Sequence, residues 1–389
     1  MRLGEICVIN PKAPALDDDI NVSFVPMPKV GENGEFDPSE IKKYHEVKKG
    51  FTYFRDGDIL FAKITPCMEN GKGAIARSME NGIGFGSTEF HVLRPENNVV
   101  IGEWVYYLLN WSPFRKEAEK NMTGSAGQKR VPKSFLENFE IALPDTETQK
   151  NQVKTLQTLD ILISLRKQQL AKLDELVKAR IVELLGDPVK NDMGRKTTFL
   201  KNATSKIGSG ATPKGGKESY QAEGITLIRS MNVHDGRFEY KDLAHITDEQ
   251  AKQLDNVTIE ENDVFINITG ASVARSCIVP KHILPARVNQ HVAIIRCITS
   301  LLNPVFANNM FLNHSFKGQL LDIGETGGAT RQAITKQQLE TLEVILPPID
   351  LQNQFAAFVE QTDKSKSAIQ QSLDKLETLK AALMQKYFG

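Results

Sequence analysis

The chain repeats itself, and that repeat constrains its fold more than any other feature. Leu143-Pro144 followed by Gln149 returns 203 positions later as Leu346-Pro347 followed by Gln352. The same offset pairs Gln168 with Gln371, Leu170 with Leu373, Lys172 with Lys375, Leu173 with Leu376, Leu176 with Leu379, Ala179 with Ala382 and Gly186 with Gly389. Upstream, Gly124-Ser125-Ala126-Gly127 falls on Gly327-Gly328-Ala329-Thr330, while Val131 and Leu136 fall on Ile334 and Leu339. Farther back the offset drifts. Gly57-Asp58-Ile59-Leu60-Phe61 matches Asn262-Asp263-Val264-Phe265-Ile266, and Phe90-His91-Val92-Leu93 matches His291-Val292-Ala293-Ile294. A chain of 389 residues is also longer than one core of roughly 250–300 residues sustains, so duplication and length agree on at least two units.

Each half reads as a variable β-rich globule followed by a long helix. Short apolar or alternating runs at 58–64, 89–93, 225–228, 263–268 and 292–295 lie between Gly, Asn and Pro signals, as strands do. From Gln149 to Leu185 there is neither Pro nor Gly, and the apolar residues Leu156, Ile163, Leu170, Leu173 and Val177 sit at coiled-coil spacing over about 55 Å of helix. From Gln352 to Phe388 the corresponding seam is Ile369, Leu373, Leu376 and Leu383. Charged interruptions fall at different places in the two seams, which fits two helices that pack on each other; separate docking on partner proteins is the alternative. Gly186-Asp187-Pro188 ends the first helix. The expected fold class is α+β, with globules at 1–147 and 187–350, helices at 148–186 and 351–389, and a pseudo-two-fold internal repeat.

Chemistry narrows the function by what the motifs lack. There is no GxxxxGK[ST] loop for a nucleotide and no NPP[FY] for presenting a base to a methyl donor, and GxSxG and HExxH do not occur. Gly82-Ile83-Gly84-Phe85-Gly86 precedes strand-like alternation rather than a helix, so it lacks the physical basis of a dinucleotide site. His91 and His291 have no ligand-spaced partners and read as satisfied strand residues; Asp58 and Asp263 read as turn caps. Cys7, Cys67, Cys277 and Cys297 are scattered and form no CxxC pair. No catalytic residue, cofactor or metal is therefore expected. The start carries Glu5 where a signal peptide needs an apolar run, and no stretch nears the roughly 20 apolar residues of a membrane helix, so a cytoplasmic chain without a membrane partner is expected.

Recognition on loops remains. Between Pro113 and Lys133, Arg115, Lys116, Lys120, Lys129, Arg130 and Lys133 are opposed only by Glu117 and Glu119, with Thr123, Ser125 and Gln128 among them. The corresponding loop of the second half carries Thr326, Thr330, Arg331, Gln332, Thr335 and Lys336, preceded by Lys317. Arg can address guanine edges, Gln adenine edges, and Lys and hydroxyl groups phosphates. Gly208-Ser209-Gly210-Ala211-Thr212-Pro213-Lys214 is a further candidate, where glycines would let backbone approach a phosphate and Thr212 and Lys214 supply donors; a plain turn is the competing reading. The candidate DNA contacts are thus Ser125, Gln128, Lys129, Arg130, Lys133, Thr212, Lys214, Thr330, Arg331 and Gln332, with Lys63, Arg77, Asn267, Thr269 and Arg275 as weaker ones. Lys plus Arg and Asp plus Glu both total 48, so any basic surface has to be local.

A variable globule ending in a small-residue loop and Leu-Pro, then a Gln-containing helix closing in Leu-Leu-Gly-Asp-Pro, then a second unit opening with Gly-Ser-Gly-Ala-Thr-Pro, resembles the specificity subunit of type I restriction-modification systems. The resemblance spans essentially the whole chain. It implies two target recognition domains, each reading one half of a bipartite double-stranded DNA site, spaced by an antiparallel coiled coil. It further implies two modification (methyltransferase) subunits docked on the helices, restriction subunits that carry ATP-driven translocation and cleavage, and no catalysis by this chain. A stand-alone DNA-binding or regulatory protein of the same fold, and a methyltransferase or nuclease with its own activity, are the competing functions.

Overall fold

The computed structural model describes residues 1–96, 98–125, 127–325 and 332–389. Its contacts group into two units, Met1–Lys167 with Gln371–Gly389, and Gln168–Gln370. Two 40-residue helices, Thr146–Leu185 and Ile349–Phe388, each contribute one stretch to either unit. In the first unit the stretches run antiparallel, since Asp160 pairs with Lys380 and, seven residues on, Lys167 with Glu377 at 3.0 Å. In the second unit Asp174 pairs with Lys366. Of the seam residues, Leu156, Ile163, Val177 and Leu373 are buried, whereas Leu170, Leu173, Ile369, Leu376 and Leu383 are half-buried. Leu156 packs in the core of the first globule beside Val153 and Met384, so that helix stretch serves globule and helix partner at once.

The first unit is built on a four-stranded antiparallel sheet in the order Cys7–Ile9, Phe90–Pro95, Ile59–Ala62, Gly73–Ile75. Ile59-Leu60-Phe61-Ala62 is apolar throughout because both its faces are covered. Ile59 and Phe61 face a core with the helices Gly102–Asn110 and Ser112–Lys120, while Leu60 and Ala62 face a second core with Val25, Phe54 and Phe90. A second sheet runs Ile41–Lys43, Asn21–Val25, Ile83–Gly86, Thr52–Arg55, with the middle pair parallel. The glycines at 84 and 86 belong to its packing: a Cβ at Gly84 would lie 2.3 Å from the Phe54 ring, and one at Gly86 2.2 Å from the Val25 carbonyl oxygen.

The second unit repeats this plan. Its sheet runs Thr204–Ser209, Val292–Cys297, Val264–Asn267, Ser276–Ile278, flanked by a three-stranded sheet Ala244–Ile246, Ile225–Ile228, Ala286–Val288, whose last two strands pair in parallel. Val264 and Ile266 face the helices, and Phe265 faces the second sheet's core. Register corrects one expected match. Ile59 lies opposite Leu93, and Val264 opposite Ile295, so Phe90 corresponds to Val292 and His91 to Ala293. The apparent match of His91-Val92 with Val292-Ala293 is one residue out. Such a slip would turn every side chain of the strand to the wrong core.

Two contacts recur in both units and explain the repeated motifs. Asp58, 1% exposed, takes two hydrogen bonds from Arg94 at 2.8 and 2.7 Å and one from the Arg55 amide at 2.8 Å. Asp263, 0% exposed, takes two from Arg296 at 2.8 Å and one from the Glu260 amide at 2.8 Å. Both carboxylates cap a turn, as their position before a strand suggests, and both hold a guanidinium by its fork. The Leu-Pro and Gln motif is a clamp. Gln149 accepts from the Ile101 amide at 2.9 Å and donates to the carbonyls of Val99 and Pro144 at 3.3 and 2.9 Å; Gln352 accepts from the Asn303 amide at 2.9 Å and donates to Leu301 and Pro347 at 3.0 and 2.8 Å. A buried amide thus ties the start of each long helix to the loop entering the helix Gly102–Asn110 in the first unit and Pro304–Leu312 in the second. Gly186, at φ +66°, ends the first long helix in the left-handed conformation.

Candidate nucleic-acid interface

At one end of the first sheet the strand Ile59–Ala62 runs into loop 63–72, and the strand Phe90–Pro95 begins after Glu89. Backbone bonds sew loop 121–131 to both. The Val131 amide donates to Lys63 at 2.9 Å, the Thr65 amide to Lys129 at 3.1 Å, and the Lys63 amide to Glu89 at 2.9 Å. The loop closes on itself between Thr123 and Arg130, whose amides donate to each other's carbonyls at 3.0 and 2.8 Å. Gly124 at φ +121° permits this closure, since a Cβ there would stand 2.9 Å from the Gln128 carbonyl oxygen. Ser125, Gln128 and Lys129 are exposed at the tip.

The basic cluster divides once its burial is known. Arg115 leaves the candidate surface: it is buried, donates to the carbonyls of Met68 and Gly71 at 2.6 and 3.1 Å and to the Asn110 side chain at 2.8 Å, and lies over the Phe61 ring. Burial pushes its guanidinium down to about 10. It is a clamp inside loop 63–72, and sequence shows charge but not depth. Lys120 pairs with Glu117 at 3.1 Å and Lys133 with Glu137 at 2.8 Å, both along their own helices, and Arg77 pairs with Glu103 at 2.6 Å. Arg130 donates through Nε and Nη2 to the Glu89 carboxylate, both at 2.8 Å, and through Nη1 to the Gln128 carbonyl at 2.9 Å. This bonding holds the Glu89 carboxyl below its ordinary range.

His91 is a satisfied strand residue, as its sequence context implies. Its Nε2 meets the Val131 carbonyl at 2.8 Å and its Nδ1 meets the Asn10 amide group at 3.1 Å, which fits the neutral ring protonated on Nε2. Burial lowers its pKa, and Lys63 and Lys133 act in the same direction.

The second unit has the same stitching with other side chains. The Ile334 amide donates to Ile268 at 2.8 Å, matching Val131 to Lys63, and the bridge between Thr269 and Ala333 matches that between Ile64 and Arg130. The register therefore sets His291 where the first unit has Glu89, and Ala333 where it has Arg130. The His291 Nδ1 lies 2.5 Å from the Thr269 hydroxyl, the Gly270 amide donates to Gln332 at 3.0 Å, and the Gln332 side chain donates to Glu325 at 2.8 Å. Thr326, Thr330 and Arg331 lie outside the described residues. Thr335 caps the helix Lys336–Glu340, Lys336 pairs with Glu340 at 3.5 Å, and Lys317 pairs with Asp235.

In loop 208–214 the Gly210 amide donates to Asn289 at 3.1 Å, and a Cβ at Gly210 would lie 1.8 Å from the Val288 carbonyl oxygen. That glycine admits a neighbouring backbone, so a close approach to phosphate is not needed to account for it. The Thr212 hydroxyl donates to the Gln290 side chain, and Lys214 is exposed. The Asn267 amide group donates to Ser230 at 2.9 Å, while its buried Oδ1 has no partner among the described residues. Glu89, Asn10, Asn289 and Gln290 are the members of the two loop clusters that the sequence alone does not single out, since their partners lie far along the chain or in other loops. Among the described residues no group of three or more His, Cys, Asp or Glu could hold a metal ion, and no helix is long and apolar enough to cross a membrane.

Exposed apolar side chains collect on the long helices, at Ile161, Leu162, Leu165, Leu176, Val182 and Leu379. In the second unit Leu176, Ala179, Arg180, Glu183 and Phe358 line a shallow groove on the helix pair.

The family model described as the type I restriction modification DNA specificity domain matches residues 1–175 and again 204–379. The specificity subunit of the type I restriction enzyme EcoAI from Escherichia coli is 30% identical over 445 aligned positions, covering 89% of this chain and 74% of that protein. The EcoEI specificity subunit, also from Escherichia coli, is 45% identical over 177 positions, 45% of this chain and 30% of its own length. A chain solved in work on complex assembly and conformational transition of the type I system superposes with a TM-score of 0.63 at 19% identity, covering 100% of this chain and 96% of that one, and so shares the fold.

Proposed function

Because the chain belongs to the type I restriction-modification DNA specificity family, we propose that its two halves each read one half of a bipartite double-stranded DNA site. It is the non-catalytic recognition subunit of a complex whose modification and restriction subunits carry the chemistry. Residues 1–147 and 187–350 act as the readers, and the helices 148–186 and 351–389 dock two modification subunits. The observation that carries this reading is the match of one DNA-specificity model to both halves in turn. Support also comes from the corresponding loop clusters, which differ in chemistry on a common backbone plan and so suit two unlike half-sites. Ser125, Gln128, Lys129, Arg130 and Lys133 are the contacts proposed for the first half-site; Thr212, Lys214, Thr330, Arg331 and Gln332 are those for the second. The exposed apolar residues of the helices suit protein partners better than solvent.

Co-expression with the cognate modification subunit tests the proposal. A complex should form and methylate a split DNA sequence, and the modification subunit alone should not. Absence of a complex, or methylation indifferent to sequence, would sink it. Tight binding of split sites by this chain alone, in gel shifts without any partner, would favour a stand-alone binding protein instead.

A further inference from the structure

Contacts that recur in both units serve the shared framework, and contacts that differ at one register position serve what differs between the units. The Asp58 and Arg94 pair recurs as Asp263 and Arg296, and the Gln149 clamp recurs as Gln352. The Glu89 and Arg130 pair does not recur, for His291 and Ala333 stand in its place. Nor does stability account for it. The Arg130 side chain is 40% exposed and that of Glu89 25%, and ion pairs at such sites add little to folding.

The geometry suits a different task. Glu89 grips one edge of the Arg130 guanidinium through Nε and Nη2, and the Gln128 carbonyl takes one proton of Nη1. Three of the five N–H donors are thereby engaged, and one remains on each terminal nitrogen. The Arg130 backbone is fixed as well, by its two bonds to Thr123. An arginine held along one edge has already lost its rotamer freedom, and it keeps one donor on each terminal nitrogen beside the exposed Ser125, Gln128 and Lys129. A donor on each of the two terminal nitrogens suits the adjacent O6 and N7 acceptors of guanine in the major groove, a pattern no other base offers.

We propose that Glu89 is a positioning residue that aims Arg130 at a guanine in the half-site read by the first unit, and that the second unit reads no base by this device. The inference rests on the proposed DNA-recognition function and adds to it one base, one reader and the residue that orients the reader.

The test uses the full chain assembled with its modification subunit and maps base preference at every position of both half-sites, by methylation of a random-sequence DNA library. The variants are Glu89→Gln, which keeps shape and removes charge, Arg130→Ala, and the charge-reversed double variant Glu89→Arg with Arg130→Glu. Wild type should require guanine at a position of one half-site. Glu89→Gln and Arg130→Ala should each lower discrimination at that same position by about tenfold, with the other half-site read as before. The undisturbed half-site shows in the same sample that the variant is folded. Charge reversal restores an ion pair but places a carboxylate where the arginine stood, so guanine preference should stay lost. The proposal is overturned if Glu89→Gln lowers activity on all sequences alike, if the affected base is not guanine, or if charge reversal restores the preference. A wild type without any sequence preference would instead overturn the DNA-recognition reading beneath it.

Discussion

The two units share a sheet order, a parallel strand pair and a way of stitching three loops together, yet at the stitched end they place different side chains on corresponding backbone. The first unit has Glu89 and Arg130 where the second has His291 and Ala333. It has Gly71 at φ +91° where the second has Ala274 at φ +65°, since the hairpin bond from the Ala62 amide to Lys72 corresponds to that from Asn267 to Arg275. Away from that end the Asp58 and Arg94 pair and the Gln149 clamp recur as Asp263 with Arg296 and as Gln352. The difference teaches which residues a duplicated chain is free to change. A buried carboxylate gripping an arginine between two cores has one workable arrangement, whereas an exposed loop held by its own backbone bonds tolerates any side chain that does not need the core.

This separation can be broken most sharply at the framework. Arg94→Ala and Arg296→Ala each leave an almost fully buried aspartate without its counter-charge, so each should destabilise its unit by about 3–5 kcal/mol, measured by denaturant unfolding and by hydrogen exchange within the affected unit. A large loss in one unit and none in the other would show that the recurring pair is framework in only one of them. Gln149→Ala and Gln352→Ala come next. Each exposes one amide and two carbonyls to an interior without partners, at about 2–3 kcal/mol, again alike in the two units.

What was legible in the sequence follows the same division. The repeat located both long helices, because helix periodicity and the Gly186 stop are local signals. It flagged Gln149 and Gln352 as matched, although only the fold shows that each clamps a loop about 50 positions upstream. The central strands read as strands in the sequence, but the match of Phe90–Leu93 is out by one, since a short apolar run fits at neighbouring offsets while burial parity is what fixes register. In sequence the basic cluster reads as one surface. Arg115 lies within it in sequence and beneath it in space, because helix Ser112–Lys120 turns Phe114, Arg115 and Ala118 inward. Glu89 carries no sequence signal of its role because its partner lies 41 positions away, and no local pattern connects a residue before a strand to a loop that closes later.

Acid should affect the first unit through His91. Its folded pKa lies below the ordinary 6.5, because burial, Lys63 and Lys133 all disfavour the cation, with the Val131 carbonyl and Glu137 opposing them. The unfolded chain therefore binds the proton more readily. The stabilisation is fully present above about 6.5 and is lost as pH falls from there toward the folded value. The expected readout is faster exchange of the Val131 amide, whose carbonyl meets His91, as pH is lowered from 7 to 5 after correction for intrinsic exchange. His91→Asn should remove that extra pH dependence. Unaltered dependence in the variant would place the titrating group elsewhere.

The smallest effect concerns the left-handed residue of each hairpin. Gly71→Ala places a Cβ in a conformation that L-residues avoid, and should cost about 1 kcal/mol. The reverse change, Ala274→Gly, relieves strain of the same order. It also frees the unfolded backbone by about 0.5–1 kcal/mol and removes a fully buried methyl worth about 0.8 kcal/mol. The gain is therefore outweighed, and Ala274→Gly should destabilise by about 0.5 kcal/mol rather than stabilise. Urea midpoints of the two variants decide it. If Ala274→Gly raised the midpoint while Gly71→Ala lowered it, backbone strain alone would govern both hairpins, and the buried methyl of the second unit would count for nothing.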